Sequence, residues 1–184
     1  MRTKQTHPPT IRHRLMVLGL TAILLGSTLA FAATPAPQTI TEGMSCAACG
    51  MYPYRYPQWQ TQVIFTDGTM SAFDGNKCMF RYLLNLQQFA PERKAEQVAA
   101  VWVKDFKTGA WLDGKTAHYV VGSKEMGPMG KELIPFATRA AAEEFQQANG
   151  GAIETYANIS MATLKSLMGG GMHMQMNMPH SPMQ

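Results

Sequence analysis

The chain has 184 residues, enough for one compact unit or two very small ones, and with 46% hydrophobic and 15% charged residues it excludes wholesale disorder. Its formal net charge of +4 rests on Arg2, Lys4, Arg12 and Arg14: no acidic residue precedes Glu42, and the remaining Lys and Arg balance the 12 Asp and Glu. Beyond that basic start the chain is neutral, so charge gives no case for nucleic acid or an anionic membrane as partner.

The basic stretch ends at Arg14, an uncharged apolar run covers Leu15 to Leu29, and Ala30-Phe31-Ala32 supplies a small-x-small cleavage site. This pattern predicts a cleavable signal peptide over residues 1–32, a mature chain beginning at Ala33, and a periplasmic location. The competing reading is an uncleaved leader kept as a membrane anchor, although the apolar run is short for a span of roughly 20 residues. No Cys lies near the cleavage site, and Gly43-Met44-Ser45 before Cys46 does not look like a lipid-attachment signal. Residues 33–43, rich in Ala, Pro and Thr, read as a flexible linker.

Thr61–Phe65 reads as a strand, Thr66-Asp67-Gly68 as a tight turn and Thr69–Phe73 as the returning strand. Asn76–Gln88 carries Met79, Phe80, Leu83 and Leu84 at helical spacing, with Pro91 just beyond. Val98–Phe106 alternates like a strand. The order then repeats: strands His118–Gly122 and Leu133–Phe136, a helix capped by Thr138 and closed by Gly150-Gly151, a strand Ala152–Tyr156, and a short helix Ser160–Met168. The fold class expected is α+β, two tandem ββαβ units over about 44–108 and 109–168. Units of roughly 50 residues are small for independent stability, so the two are expected to pack together. Residues 169–184 form a Gly, Met, His and Pro tail with no core-forming period, expected to be flexible.

The densest chemistry is Met44-Ser45-Cys46-Ala47-Ala48-Cys49-Gly50-Met51. In an oxidising compartment Cys46 and Cys49 could close a disulfide, leaving Cys78 odd; three thiols are too few for a disulfide scaffold. Three functional readings stay open beside that of inert buried residues. A thioredoxin-like thiol oxidoreductase needs its Cys-x-x-Cys to open a helix after a strand, yet Pro53 and Pro57 follow at once. A structural zinc site needs four donors, which Cys46, Cys49, Cys78 and His118 could supply in principle. Copper(I) prefers soft thiolate and thioether donors in low coordination, and Cys49-Gly50-Met51 offers one of each, with Gly50 free to turn both sulfurs toward one ion.

The segment Cys46-Ala47-Ala48-Cys49-Gly50-Met51 resembles the signature of the NosL family, accessory copper chaperones of nitrous oxide reductase. Phe73-Asp74 and Cys78-Met79-Phe80 resemble that family's second strand and helix start. Tyr119-Val120-Val121-Gly122-Ser123 and Gly127-Pro128-Met129-Gly130 resemble its second half. Pro135-Phe136 followed by Ala141, Phe145, Gly150 and Gly151 resembles its closing helix and strand. The match runs over about residues 44–160. It implies two ββαβ units, Cu(I) as cargo, no enzymatic activity, and a partner in apo nitrous oxide reductase or its copper-assembly ABC transporter complex. The family's Cys-x-Met ligands carry over onto Cys49 and Met51, with Met129 as a third donor from the facing unit. Cys46 would be a further ligand, a guard for Cys49 or its disulfide partner. The departure is the lipid-attachment Cys of many relatives, which this chain lacks, so membrane contact would be transient or through an uncleaved leader. A general periplasmic copper or heavy-metal binding protein of the same fold is the alternative.

Met172, His173, Met174, Met176, Met178 and His180 crowd the tail behind Gly169-Gly170-Gly171 without helical spacing. Alternating Met-x-Met with His suits weak, exchangeable capture of a soft metal and falls outside the family resemblance. His118 reads as an ordinary strand histidine, and Trp59, Trp102 and Trp111 as packing residues. No nucleophile–base arrangement, phosphate loop or nucleic-acid signature is present.

Overall fold

In a computed structural model that describes residues 33–168, the chain forms two antiparallel sheets and four helices. Strand β1 (Thr61–Phe65) is buried at every position and lies inside the first sheet, between β2 (Met70–Phe73) and β3 (Val98–Lys104). The β1–β2 turn closes through Asp67, whose carboxylate accepts the Thr69 N–H at 3.0 Å and its hydroxyl at 2.6 Å. Helix α1 (Asn76–Leu84) follows β2 and is broken at Asn85 before a single further turn, α2 (Leu86–Phe89). A short strand, β4 (Trp111–Asp113), pairs with β3 and extends the first sheet to the order β2-β1-β3-β4. The first unit therefore runs past the expected boundary at 108.

The second sheet has the order β6-β5-β7, from β5 (His118–Gly127), β6 (Gly130–Phe136) and β7 (Ala152–Thr155). In both sheets the first strand of the unit lies between the second and the third. Strand β5 is longer than expected: after a register shift beyond Val121 it pairs again with β6 at Met126 and Lys131 and carries the hairpin to Gly127 and Gly130. Helix α3 (Arg139–Asn149) starts at Thr138, whose hydroxyl accepts the Ala141 N–H, and packs on the second sheet with Ala142 against Val120, Ile134 and Phe136. The opposite side chains, Tyr119 and Leu133, enter the main core with Met79 and Phe80 of α1 and with Leu164 and Leu167 of α4 (Met161–Met168). The second sheet is thus covered on both faces.

Residues 33–43, expected as a flexible linker, are tied to the first sheet. The Gln62 amide pairs with the Gln38 backbone, accepting its N–H and donating to its carbonyl, both at 2.8 Å. Trp102 Nε1 donates to the Pro35 carbonyl at 2.9 Å, and Ile40 is buried. Gln62 lies fully buried on β1, so its amide needs partners that the flanking segment supplies. No described helix is long and apolar enough to cross a membrane. The leader and the Met/His tail lie outside the described residues.

Candidate metal centre

Two stretches of chain meet at the cysteines. The loop from Cys46 to Gly50 closes on itself, Gly50 N–H donating to the Cys46 carbonyl at 2.9 Å and Cys46 N–H to the Met51 carbonyl at 2.6 Å. Gly50 sits at φ +80°, where any side chain would be strained, so glycine is what lets the loop reverse between Cys49 and Met51. Ala47 N–H donates to the Ala72 carbonyl at 3.0 Å and lays the loop along β2. That strand ends at Phe73, and Asp74 and Gly75 lead straight into α1, with Cys78 in its first turn.

The result is a cluster of Cys46, Cys49, Asp74 and Cys78 with one donor atom from each, all within 4.8 Å of one another. Cys46, Cys78 and Asp74 are buried and Cys49 is half-buried. All three cysteines are free thiols, so the Cys46–Cys49 disulfide is not formed. The Cys49 thiol donates to Asp74 Oδ1 at 3.2 Å, and Asp74 Oδ2 is buried without a partner. A hydrogen bond from the Cys78 thiol brings the Cys46 thiol down to about 7, helped by backbone N–H groups of Asp74 and Ala48. Burial pushes the Cys49 thiol up to about 12, and donation to Cys46 together with burial raises that of Cys78. Of the three thiols, Cys46 is the one disposed to ionise, and Cys49 and Cys78 are held protonated.

Donors about 2.3 Å from a common thiophilic ion stand roughly 4 Å apart, so this spacing fits a small soft cation with little rearrangement. The orphaned Asp74 oxygen points the same way, since a buried carboxylate oxygen with no donor is costly unless something cationic meets it. A redox pair would want its first thiol at a helix N-terminus, whereas Cys46 precedes the turn that carries Cys49 and neither opens a helix.

The sequence-predicted donors are distributed around this cluster. Cys46 and Cys49 belong to it. Met51 lines an open cavity of about 360 Å³ with Cys49, Tyr52 and Arg55. Met129 lies at the tip of the β5–β6 hairpin in a different cavity, which it shares with Cys78. His118, named for a zinc site, is not among the clustered donors. The sequence offered Cys78 as a donor only for a zinc site and did not single out Asp74, although an acidic residue ending an apolar strand just before a helix was the available signal.

A family model described as NosL matches residues 37–164. The chain is 27% identical over 143 residues to the copper-binding lipoprotein NosL of Stutzerimonas stutzeri, covering 74% of each protein. The crystal structure of the copper chaperone NosL from Shewanella denitrificans superposes with a TM-score of 0.60 at 26% identity, over 69% of this chain and 97% of that one. The solution structure of apo-NosL from Achromobacter cycloclastes, 27% identical, gives a TM-score of 0.41 over 56% of this chain and 87% of its own.

Proposed function

The chain belongs to the NosL family, and on that premise we propose that it is a non-enzymatic Cu(I) metallochaperone of the periplasm, exported by its leader, that delivers copper for maturation of nitrous oxide reductase. The observation that carries this reading is the meeting of three thiols and one carboxylate within 4.8 Å. Thiolates supply affinity for a soft monovalent ion, and few of them suffice. The copper-binding and copper-chaperone relatives support the cargo. The acceptor, apo nitrous oxide reductase or its copper-assembly transporter complex, follows from the family resemblance.

The residues divide the work. Cys46, the easiest thiol to ionise, supplies a thiolate from inside the cluster. As Cys49 joins, its proton passes to Asp74 Oδ1, which already accepts it as a hydrogen bond. Cys49 is the less buried thiol and has Met51 beside it in the open cavity, so a donor from the acceptor protein approaches on that side and replaces protein sulfurs one at a time. Neutral thioether exchanges more readily than thiolate, which keeps release fast while the thiolates hold the ion.

Anaerobic reconstitution with Cu(I) and with Zn(II), followed by metal analysis and chelator competition, tests this. One tightly held Cu(I) per chain, lost in Cys49→Ser and preferred over Zn(II), is the expected outcome. A preference for Zn(II) would sink it. Tight binding with no transfer to apo nitrous oxide reductase would leave a general copper-binding protein instead.

A further inference from the structure

Lys77 is the only buried lysine or arginine among the described residues. Such a charge is costly to bury unless it is paired and hydrogen-bonded, and its partners all lie on one stretch of chain. Its ammonium donates to the carbonyls of Met129 and Lys131 at 2.7 and 2.8 Å, and its backbone N–H donates to Glu132 at 2.8 Å. The residue before it, Asn76, donates to the Leu133 carbonyl at 3.0 Å. The first turn of α1 thus grips the chain from Met129 to Leu133, and Cys78 is the next residue in that turn.

Within its own sheet the β5–β6 hairpin tip is weakly held. From Gly122 to Glu125 strand β5 leaves the ladder, so these residues stand opposite Glu132 alone, and pairing resumes only at Met126 and Gly127. Gly122 turns the chain out at φ +78°. Gly127 lies so close to the Glu132 side chain that no Cβ would fit there. The clasp from α1 therefore decides where the tip sits. Met129, at that tip, lines the same cavity of about 400 Å³ as Cys78, one of the four clustered donors. Its side chain is 44% exposed, so its own packing does little to fix it.

We propose that Lys77 is a positioning residue for metal binding, clasping the hairpin tip so that Met129 already stands beside Cys78 when the ion arrives. The inference rests on the Cu(I) reading of the cluster and on Met129 as its thioether donor from the facing unit. A thioether is neutral and holds a soft ion weakly. It adds affinity only where the cost of ordering it has been met in folding rather than in binding. Lys77 meets that cost without touching the ion, through the backbone that carries Met129.

The test is a double-mutant cycle on the chain from Ala33, with Lys77→Leu, Met129→Leu and both together, read as Cu(I) affinity by anaerobic chelator competition. Leucine brings no sulfur to the site, and Lys77→Gln takes its place in the cycle if Lys77→Leu does not fold. Lys77→Leu is expected to weaken Cu(I) binding about ten- to a hundredfold, as loss of a group that orients a ligand does, and to add nothing once Met129 is leucine. A second readout labels the methionine methyl groups with carbon-13, the Met129 signal being the one lost in Met129→Leu. That signal is expected to shift with the first equivalent of Cu(I) in the native chain, and to stay in place in Lys77→Leu while the thiols are still protected from alkylation. Losses that add in the double variant mean that Lys77 supports the fold alone, and they overturn the proposal. Unchanged affinity in either single variant, or a Met129 signal that shifts alike with and without Lys77, overturns it too and leaves the cluster reading intact. A native chain whose thiols stay open to alkylation with Cu(I) present sinks the cluster reading itself.

Discussion

Asp74 changes what its neighbouring thiol can do. The half-buried Cys49 resists ionisation, pushed up to about 12 by burial and by its hydrogen bonds to Cys46 and Asp74, and metal uptake must expel that proton. With Asp74 Oδ1 at 3.2 Å, the proton has a destination inside the cluster. Asp74→Asn keeps the shape and an acceptor oxygen but removes the base. Cu(I) affinity at pH 7 is expected to fall by about one to two orders of magnitude, the range seen when a partner of a metal ligand is removed. The deficit should narrow toward pH 9 as hydroxide takes over the proton. In both proteins affinity should drop below pH 7, where protons reoccupy Cys46. Anaerobic chelator competition from pH 6 to 9 measures this, and equal affinities at pH 7 would count against the role of Asp74. Of the four clustered residues, Cys46 and Cys49 were legible because their spacing is local. Asp74 and Cys78 reach them across 25 or more residues through the pairing of the loop with β2, and no local pattern encodes that contact.

Helix α1 shows how one element is completed by another. Its N-cap, Gly75, has no side chain to satisfy the first N–H groups. Glu132, fully buried on β6, does so by accepting the Lys77 N–H. A Cβ at Gly75 would meet Glu132 Oε1 at 2.8 Å, so glycine leaves the room this carboxylate uses. Burial raises the Glu132 carboxyl from its usual 4.5 to about 7. Between those values the folded state binds more protons than the unfolded one, so this group's contribution to stability falls as pH rises from 4.5 to 7 and is level above. The shift corresponds to roughly 3 kcal/mol. Glu132→Gln keeps an acceptor for Lys77 and removes the titration. Urea unfolding at pH 5 and pH 8 is expected to show the native protein losing more stability than the variant, and parallel losses would overturn the assignment. Elements with strong periods or turn chemistry were readable, including the Asp67-Gly68 turn and the Thr138 cap. Strand β4, only Trp-Leu-Asp, is too short to alternate visibly. The outer part of β5, Ser123-Lys124-Glu125-Met126, is mostly polar and returns to the β6 ladder only at Met126 and Gly127.

At the scale of the whole molecule, the repeat of two ββαβ units was visible in the order of elements and their small size called for packing together, but the side chains that form the shared core were not legible. The main core draws Val63, Phe73, Met79 and Phe80 from the first unit and Tyr119, Leu133, Leu164 and Leu167 from the second. The Phe80 and Tyr119 rings meet edge to face with centroids 5.2 Å apart, and the Tyr119 hydroxyl donates to the Gly114 carbonyl at 2.7 Å. Neither sheet keeps its buried face without the other unit. Unfolding should therefore be a single transition, with calorimetric and van't Hoff enthalpies equal, and the isolated residues 33–108 should not fold. Leu133→Ala offers the sharper test, because it lies in the second unit and outside the thiol cluster. Removing a fully buried leucine costs about 3 kcal/mol, and in a shared core that loss must lower the melting temperature reported by the first unit's Trp102 as much as that of the whole chain. Bound Cu(I) holds the folded state alone and should recover part of the loss in proportion to its free concentration over Kd. Two separable transitions, with only one moved by Leu133→Ala, would mean that the units are independent and that the metal cluster belongs to the first unit alone.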